Sequence, residues 1–140
     1  MKNLSRGDYP LGKKRPELLF TPTKKSYDSL TLEAALKGEV TSHDLRISPD
    51  TLLMQAEISE SLARNQLGSN FRRAAELINV SDERILEIYN ALRPNRSSRE
   101  ELLAIADELE KEYDACENAQ LIIEAAEVYE RRGLLRQEFE

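Results

Sequence analysis

Tryptophan is absent from this 140-residue chain, and cysteine and histidine occur once each. A lone thiol, Cys116, leaves no internal disulfide to form, and one Cys with one His is too few for a zinc-type cluster. An unpaired thiol fits a reducing compartment. No apolar run approaches the roughly 18–20 residues of a membrane-spanning helix. The opening MKNLSRGDYPLGKK has no apolar stretch of the signal-peptide kind. Glycine numbers five, and none falls in a Walker loop or a dinucleotide fingerprint. Together these absences set the expectation of a cytoplasmic protein without a membrane partner.

What remains is one domain's worth of chain, 40% hydrophobic and 33% charged, a balance that suits a helical globular protein with a real core. Its net charge of −6 is unevenly spread. Residues 1–30 hold seven Lys/Arg against three acids, a net +4, which leaves residues 31–140 at −10. The chain therefore reads as a basic N-terminal arm, 1–30, on an acidic helical domain, 31–140. The arm holds Pro10, Pro16 and Pro22, so it should be extended or turning. It also holds Leu4, Tyr9, Leu11, Leu18, Leu19, Phe20 and Tyr27, too much apolar surface for a solvated tail. Two destinations are open to it: its own domain, or another subunit.

Beyond the arm the pattern is all-α, about five to six helices without strand alternation. Thr31 caps a short helix over 32–37 that Gly38 ends. Ser48-Pro49-Asp50 starts the next, running over 49–67 with Gly68 as a stop or joint. Its apolar residues cover about 260° of the wheel, more than one core requires. A helix follows over 70–79, and Ser81 caps another over 82–92. Ile85, Leu86, Ile88, Tyr89 and Leu92 there occupy an arc of about 160°, the width of one internal face. Ser97-Ser98-Arg99-Glu100 reads as a capping box with Ser97 as N-cap, opening a helix over 98–114. The last helix, 116–132, ends at Gly133. Its apolar residues also exceed half the wheel, with Leu121 and Val128 one heptad apart and away from Ile123. The narrow faces of 82–92 and 98–114 are expected inside, and the arm and the two wide helices are expected to carry partner contacts.

Little here carries chemistry. His43 lies beside Ser42 and Asp44, but adjacency in sequence is not the geometry of a triad. Cys116 has Asp114 and Glu117 nearby, which oppose a thiolate. The carboxylate pairs Glu100/Glu101 and Glu108/Glu110/Glu112 belong to solvated faces. Arg72, Arg73 and the Arg93–Arg96–Arg99 series are better placed for ion pairs and interfaces than for nucleic acid, given the acidic surround. The expected sites are thus catalytic none, metal none and cofactor none. The interface candidates are Tyr9, Leu11, Phe20, Met54, Ile58, Arg72, Arg73, Arg96, Leu121 and Val128. From the residues alone, a stand-alone binding or regulatory module acting through the basic arm remains the alternative.

The stretch NFRRAAELI…DERILEIYNALRPNRSSREELLAIADELE goes further. With Asp8-Tyr9-Pro10-Leu11, Thr21-Pro22-Thr23, Leu30-Thr31-Leu32-Glu33, Asp44-Leu45-Arg46-Ile47-Ser48 and Glu124-Ala125-Ala126-Glu127-Val128-Tyr129, it resembles the small (gamma) subunit of adenosylcobalamin-dependent glycerol and diol dehydratases. The likeness is essentially full-length and in one order. It implies a mostly helical accessory subunit of a hydro-lyase, in a dimer of alpha-beta-gamma heterotrimers. The large alpha subunit, a TIM barrel, would hold the active site, and the medium beta subunit would help bind adenosylcobalamin. Radical chemistry would convert glycerol to 3-hydroxypropionaldehyde and 1,2-propanediol to propionaldehyde. No catalytic residue is implied on the small subunit, and neither nucleic acid nor membrane is an implied partner. The position of Asp8-Tyr9-Pro10 within ten residues of Met1, with Asn70–Ile78 and Arg96–Ser98, resembles the glycerol branch. Diol dehydratase small subunits, by contrast, often carry an N-terminal extension of some tens of residues linked to packaging; the resemblance to the wider family leaves a bacterial microcompartment as the second expected location.

Overall fold

Three prolines break the first thirty residues into turns too short to be helices. The computed structural model describes residues 3–137. In it the arm runs through single 3-10 turns at Arg6–Asp8, Pro16–Leu18 and Tyr27–Ser29 and one α-turn, α1, Leu11–Lys14. Pro10 and Pro16 hold the residues before them out of the helical region, which ends each turn where the next would begin. Ser5 and Asp8 form a reciprocal capping box around the first turn. Asp8 also takes Arg15 Nη1 at 2.7 Å. The Ser5 backbone donor, then Arg15, hold the Asp8 carboxyl below its ordinary pKa.

Contacts divide the chain into two units, between Ala75 and Glu76. The arm belongs to the first unit because Leu4 and Leu11 bury against Ile58, with Leu18, Leu19 and Met54 around them. The Leu4 backbone N–H also donates to Glu57 Oε2 at 3.3 Å. α2, Leu32–Leu36, has the expected Thr31 cap, whose hydroxyl accepts from the Ala34 N–H at 3.1 Å. α3, Pro49–Ser61, starts as expected, with Ser48 accepting from the Thr51 N–H at 3.2 Å.

The expected run of this helix to residue 67 is corrected. Ala63 takes a left-handed φ of +58°, which breaks the helix after Ser61 and lets α4 begin at Asn65 rather than 70 and run to Leu77. Gly68 is accordingly no stop. It is buried inside α4, and a Cβ there would lie 2.7 Å from Glu60 Cγ. The missing side chain lets Glu60 cross to Arg72, which grips it through Nε and Nη2, each at 2.8 Å.

The second unit is built on α5 Asp82–Ala91, α6 Arg99–Tyr113 and α7 Cys116–Arg132. Val80, Ile88, Leu102, Ala106, Leu109, Ala115, Ala119, Ile122 and Ala126 form one buried cluster. Asp114 at φ +52° turns α6 into α7, and the Ala115 N–H reaches back to the Leu109 carbonyl at 2.9 Å, so the two helices form a hairpin. Alanines at 106, 115, 119 and 126 let its backbones approach closely. The capping box sits one residue later than expected. Ser97 is buried and donates to the Ala91 carbonyl at 2.8 Å, so Ser98 caps α6 with Glu101 as its partner. Leu86 and Tyr89 depart from the expected internal face of α5, being 62% and 68% exposed.

The start of α7 has no cap of its own, since Ala115 precedes it. Glu76 replaces one from outside the helix. Its carboxylate accepts from the Glu117 N–H and the Asn118 N–H, each at 3.0 Å, and from Asn118 Nδ2 at 2.7 Å. Three donors at a helix N-terminus, the positive end of its dipole, are thus satisfied by one anion. At the other end Gly133 takes the left-handed φ of +66° that closes the helix.

Candidate subunit interface

The residues that first raise the question of chemistry have other occupations. His43 lies on an exposed turn, while the neighbouring Asp44 carboxylate, 4% exposed, points into a net of its own. It accepts from the Thr23 hydroxyl, from Lys25 Nζ at 2.9 Å and from the Thr41 N–H at 2.7 Å. Those donors, Thr23 first, hold the Asp44 carboxyl well below the usual carboxylate range. The net ties 21–25 to 41–44, so the family-like segments around Thr21 and Asp44 meet in space. Sequence reasoning did not find this hub; its only signal was a Thr-rich turn and an Asp in separate stretches. The Cys116 thiol is pushed up, by desolvation first and then by Asp114 and Glu110. Among the described residues no group of three or more His, Cys, Asp or Glu stands where a metal could be held. None of the described helices is long and apolar enough to cross a membrane.

The interface candidates fall into two sets. Leu11 and Ile58 are buried within the first unit, and half-buried Met54 packs on them, so these three hold the arm down. Arg72 is joined to Glu60, and Arg73 to the Asn70 side chain. Leu121 is 43% exposed on α7, Val128 is half-buried, and Arg96 is exposed with its carbonyl accepting from Arg136 Nη1. Tyr9 and Phe20 stay 61% and 50% exposed although the arm around them is packed. The arm's charge is not all free: Arg15 is paired with Asp8 and Glu17, and Lys25 with Asp44.

Each exposed aromatic of the arm enters a groove. Phe20 joins Leu19, Tyr27, Leu30, Leu45 and Ile47 around the Asp44 hub. On α2, one turn apart, Leu32 and Leu36 are 77% and 80% exposed. These leucines were legible as an i,i+4 pair, but on a five-residue helix no core face could be inferred. Tyr9 lines a second groove with Ile58, Leu62, Leu67 and Phe71. Nine large hydrophobics at least 39% exposed lie on the first unit: Tyr9, Phe20, Tyr27, Leu32, Leu36, Leu45, Ile47, Leu62 and Leu67. Scattered single apolar residues are normal on a monomer's surface, and a surplus of this kind makes the first unit the candidate contact surface.

Comparison with known proteins agrees with a chain made to be part of something larger. Residues 4–136 match the family model described as dehydratase small subunit. The propanediol dehydratase small subunit of Citrobacter freundii is 53% identical over 129 residues, which is 92% of this chain and 75% of the relative. Its counterpart in Salmonella typhimurium is 54% identical over the same shares. The fold is all-α and the match runs through both units, so the chain belongs to the dehydratase small-subunit family.

Proposed function

We propose that this chain is the accessory small subunit of a 1,2-propanediol/glycerol dehydratase, packed on a large catalytic subunit in a dimer of alpha-beta-gamma heterotrimers. The observation that carries this is the identity above half with two propanediol dehydratase small subunits across 92% of the chain. The exposed apolar surface of the first unit supports it, because burying a large side chain is worth about 1.5–3 kcal/mol and several are left unburied here.

In this reading adenosylcobalamin belongs to the large and medium subunits, where it supplies the radical that starts dehydration. The residues present here do not fit that group. The one imidazole, His43, stands on an exposed turn and lines neither of the grooves described, whose walls are mainly aliphatic and aromatic side chains. The role of this chain is to bury surface and hold a partner's shape. Substrate choice between glycerol and 1,2-propanediol then lies with the large subunit.

Co-expression with large and medium subunits tests the reading. The expected result is a complex containing all three chains that converts 1,2-propanediol and glycerol to aldehydes once adenosylcobalamin is added. A complex that assembles and turns over equally well without this chain would sink it.

A further inference from the structure

The groove beside Tyr9 differs from the one beside Phe20 in its rim. Its floor and walls are Ile58, Leu62, Leu67, Phe71 and Tyr9, and Arg6 and Arg64 stand at its edge, around a cavity of about 360 Å³. The Ser59 hydroxyl in its lining is already occupied, donating to the Gln55 carbonyl at 2.9 Å. Both arginines are exposed, and among the described residues no carboxylate pairs with either.

The acids nearest in sequence are taken. Asp8 holds Ser5 and Arg15, Glu57 accepts from the Leu4 N–H, and Glu60 is gripped by Arg72. The backbone positions both cations. The capped 3-10 turn fixes Arg6, and the left-handed Ala63 directs the Arg64 N–H onto the Ser59 carbonyl at 2.9 Å. An apolar slot flanked by two uncompensated guanidinium groups complements an apolar side chain with a carboxylate close by on the same segment, since Arg pairs with carboxylates in planar two-point contacts.

The geometry points to this groove as the seat of an acidic, apolar segment of the large subunit, its hydrophobic side chain between Tyr9 and Leu67 and its carboxylate between Arg6 and Arg64. This rests on the reading above that the chain packs on a large catalytic subunit, and it adds the place and the chemistry of the contact. The groove around Phe20 has a single cation, Arg46, in its lining and so lacks the paired guanidinium groups.

The test is co-purification of the three co-expressed subunits through a tag on the large one. With the unaltered chain, the small subunit is recovered in stoichiometric amount. Arg6→Glu with Arg64→Glu should lower its apparent affinity at least about tenfold at low salt, and the loss should persist in Arg6→Gln with Arg64→Gln at smaller size. Both arginines are exposed, so helical circular dichroism should be unchanged, and the neutral pair serves as the check on folding. Added salt should narrow the gap between unaltered and neutral chains. Equal recovery of all three chains overturns the docking site while leaving the subunit reading intact. No recovery of even the unaltered chain overturns both. Loss of self-association by the isolated chain, with assembly unaffected, also overturns it, in favour of a second copy as the occupant.

Discussion

The two units of this chain solve the same problem with different materials. The second collects nine buried residues into one cluster, with Leu102 and Leu109 almost wholly out of solvent. The first has a cluster of three, Leu4, Leu11 and Ile58, with Leu52, Ala56 and Ala75 also buried, and adds polar ties: the Asp44 net, the Glu60–Arg72 pair and the Asp8–Arg15 pair. It also carries nine of the thirteen exposed large hydrophobics found among the described residues. An apolar core stabilises in proportion to area removed from water, whereas exposed ion pairs contribute little. The second unit thus has the larger apolar core of its own, and the first leaves more apolar surface for the proposed large subunit to cover.

The comparison breaks most visibly at Leu102. Truncation to Ala in a site with no exposure should cost about 2–5 kcal/mol, seen as a large fall in the thermal midpoint. Amide hydrogen exchange of the full chain should also find slow amides in α6 and α7 and faster ones over 3–47. Equal protection across both units would undo the contrast.

Asp44 is the corresponding point in the first unit. Asp44→Ala removes the acceptor shared by Thr23, Lys25 and the Thr41 N–H, and exchange over 21–47 should quicken roughly tenfold while α6 and α7 are little changed. Its pH dependence has a definite sign. The folded carboxyl titrates below the unfolded one, so its contribution is present in full above about pH 4 and is lost as pH falls further toward the folded pKa. Asp44→Asn should flatten that acid limb. An unchanged acid transition in the Asn variant would place the sensitivity elsewhere.

A smaller effect is expected at Glu76, which stands in for the missing N-cap of α7. Glu76→Ala should cost about 0.5–2 kcal/mol, the range of a lost helix cap, and Glu76→Gln less because one acceptor oxygen remains. A Glu76→Ala chain melting with the parent would mean that water caps this helix equally well.

Local signals were legible where one residue decides the outcome. Thr31, Ser48, Ser81 and Gly133 cap as their sequence positions dictate, and α7 spans 116–132 as read. What escaped depends on partners far along the chain. Ser97 lost the cap to Ser98 because the Ala91 carbonyl claims it, and Glu76 caps a helix 41 residues away. The width of an apolar arc also misled. α5 has the narrow stripe of a buried helix, yet only Ile88 is buried, because the α6–α7 hairpin does not cover Leu86 and Tyr89. Periodicity reports that a face is apolar; it does not say which neighbour covers it.

Gly68 gives the smallest and most discriminating test, because two effects of similar size oppose each other there. An alanine inside a helix is favoured over glycine by about 1 kcal/mol. At this position its Cβ would lie 2.7 Å from Glu60 Cγ, so Glu60 must swing off Arg72, a partly exposed pair worth roughly 0.2–1 kcal/mol. Gly68→Ala alone should therefore change stability by less than about 1 kcal/mol, with the gain in helix propensity cancelled by the displaced carboxylate. Made in a Glu60→Ala background, where nothing obstructs the methyl group, the same substitution should stabilise by the full amount, about 1 kcal/mol. Equal effects in both backgrounds would show that the approach of Glu60 across α4 is not what the glycine serves. Unequal effects would make the Glu60–Gly68–Arg72 crossing one of the polar devices by which the first unit offsets its thin core.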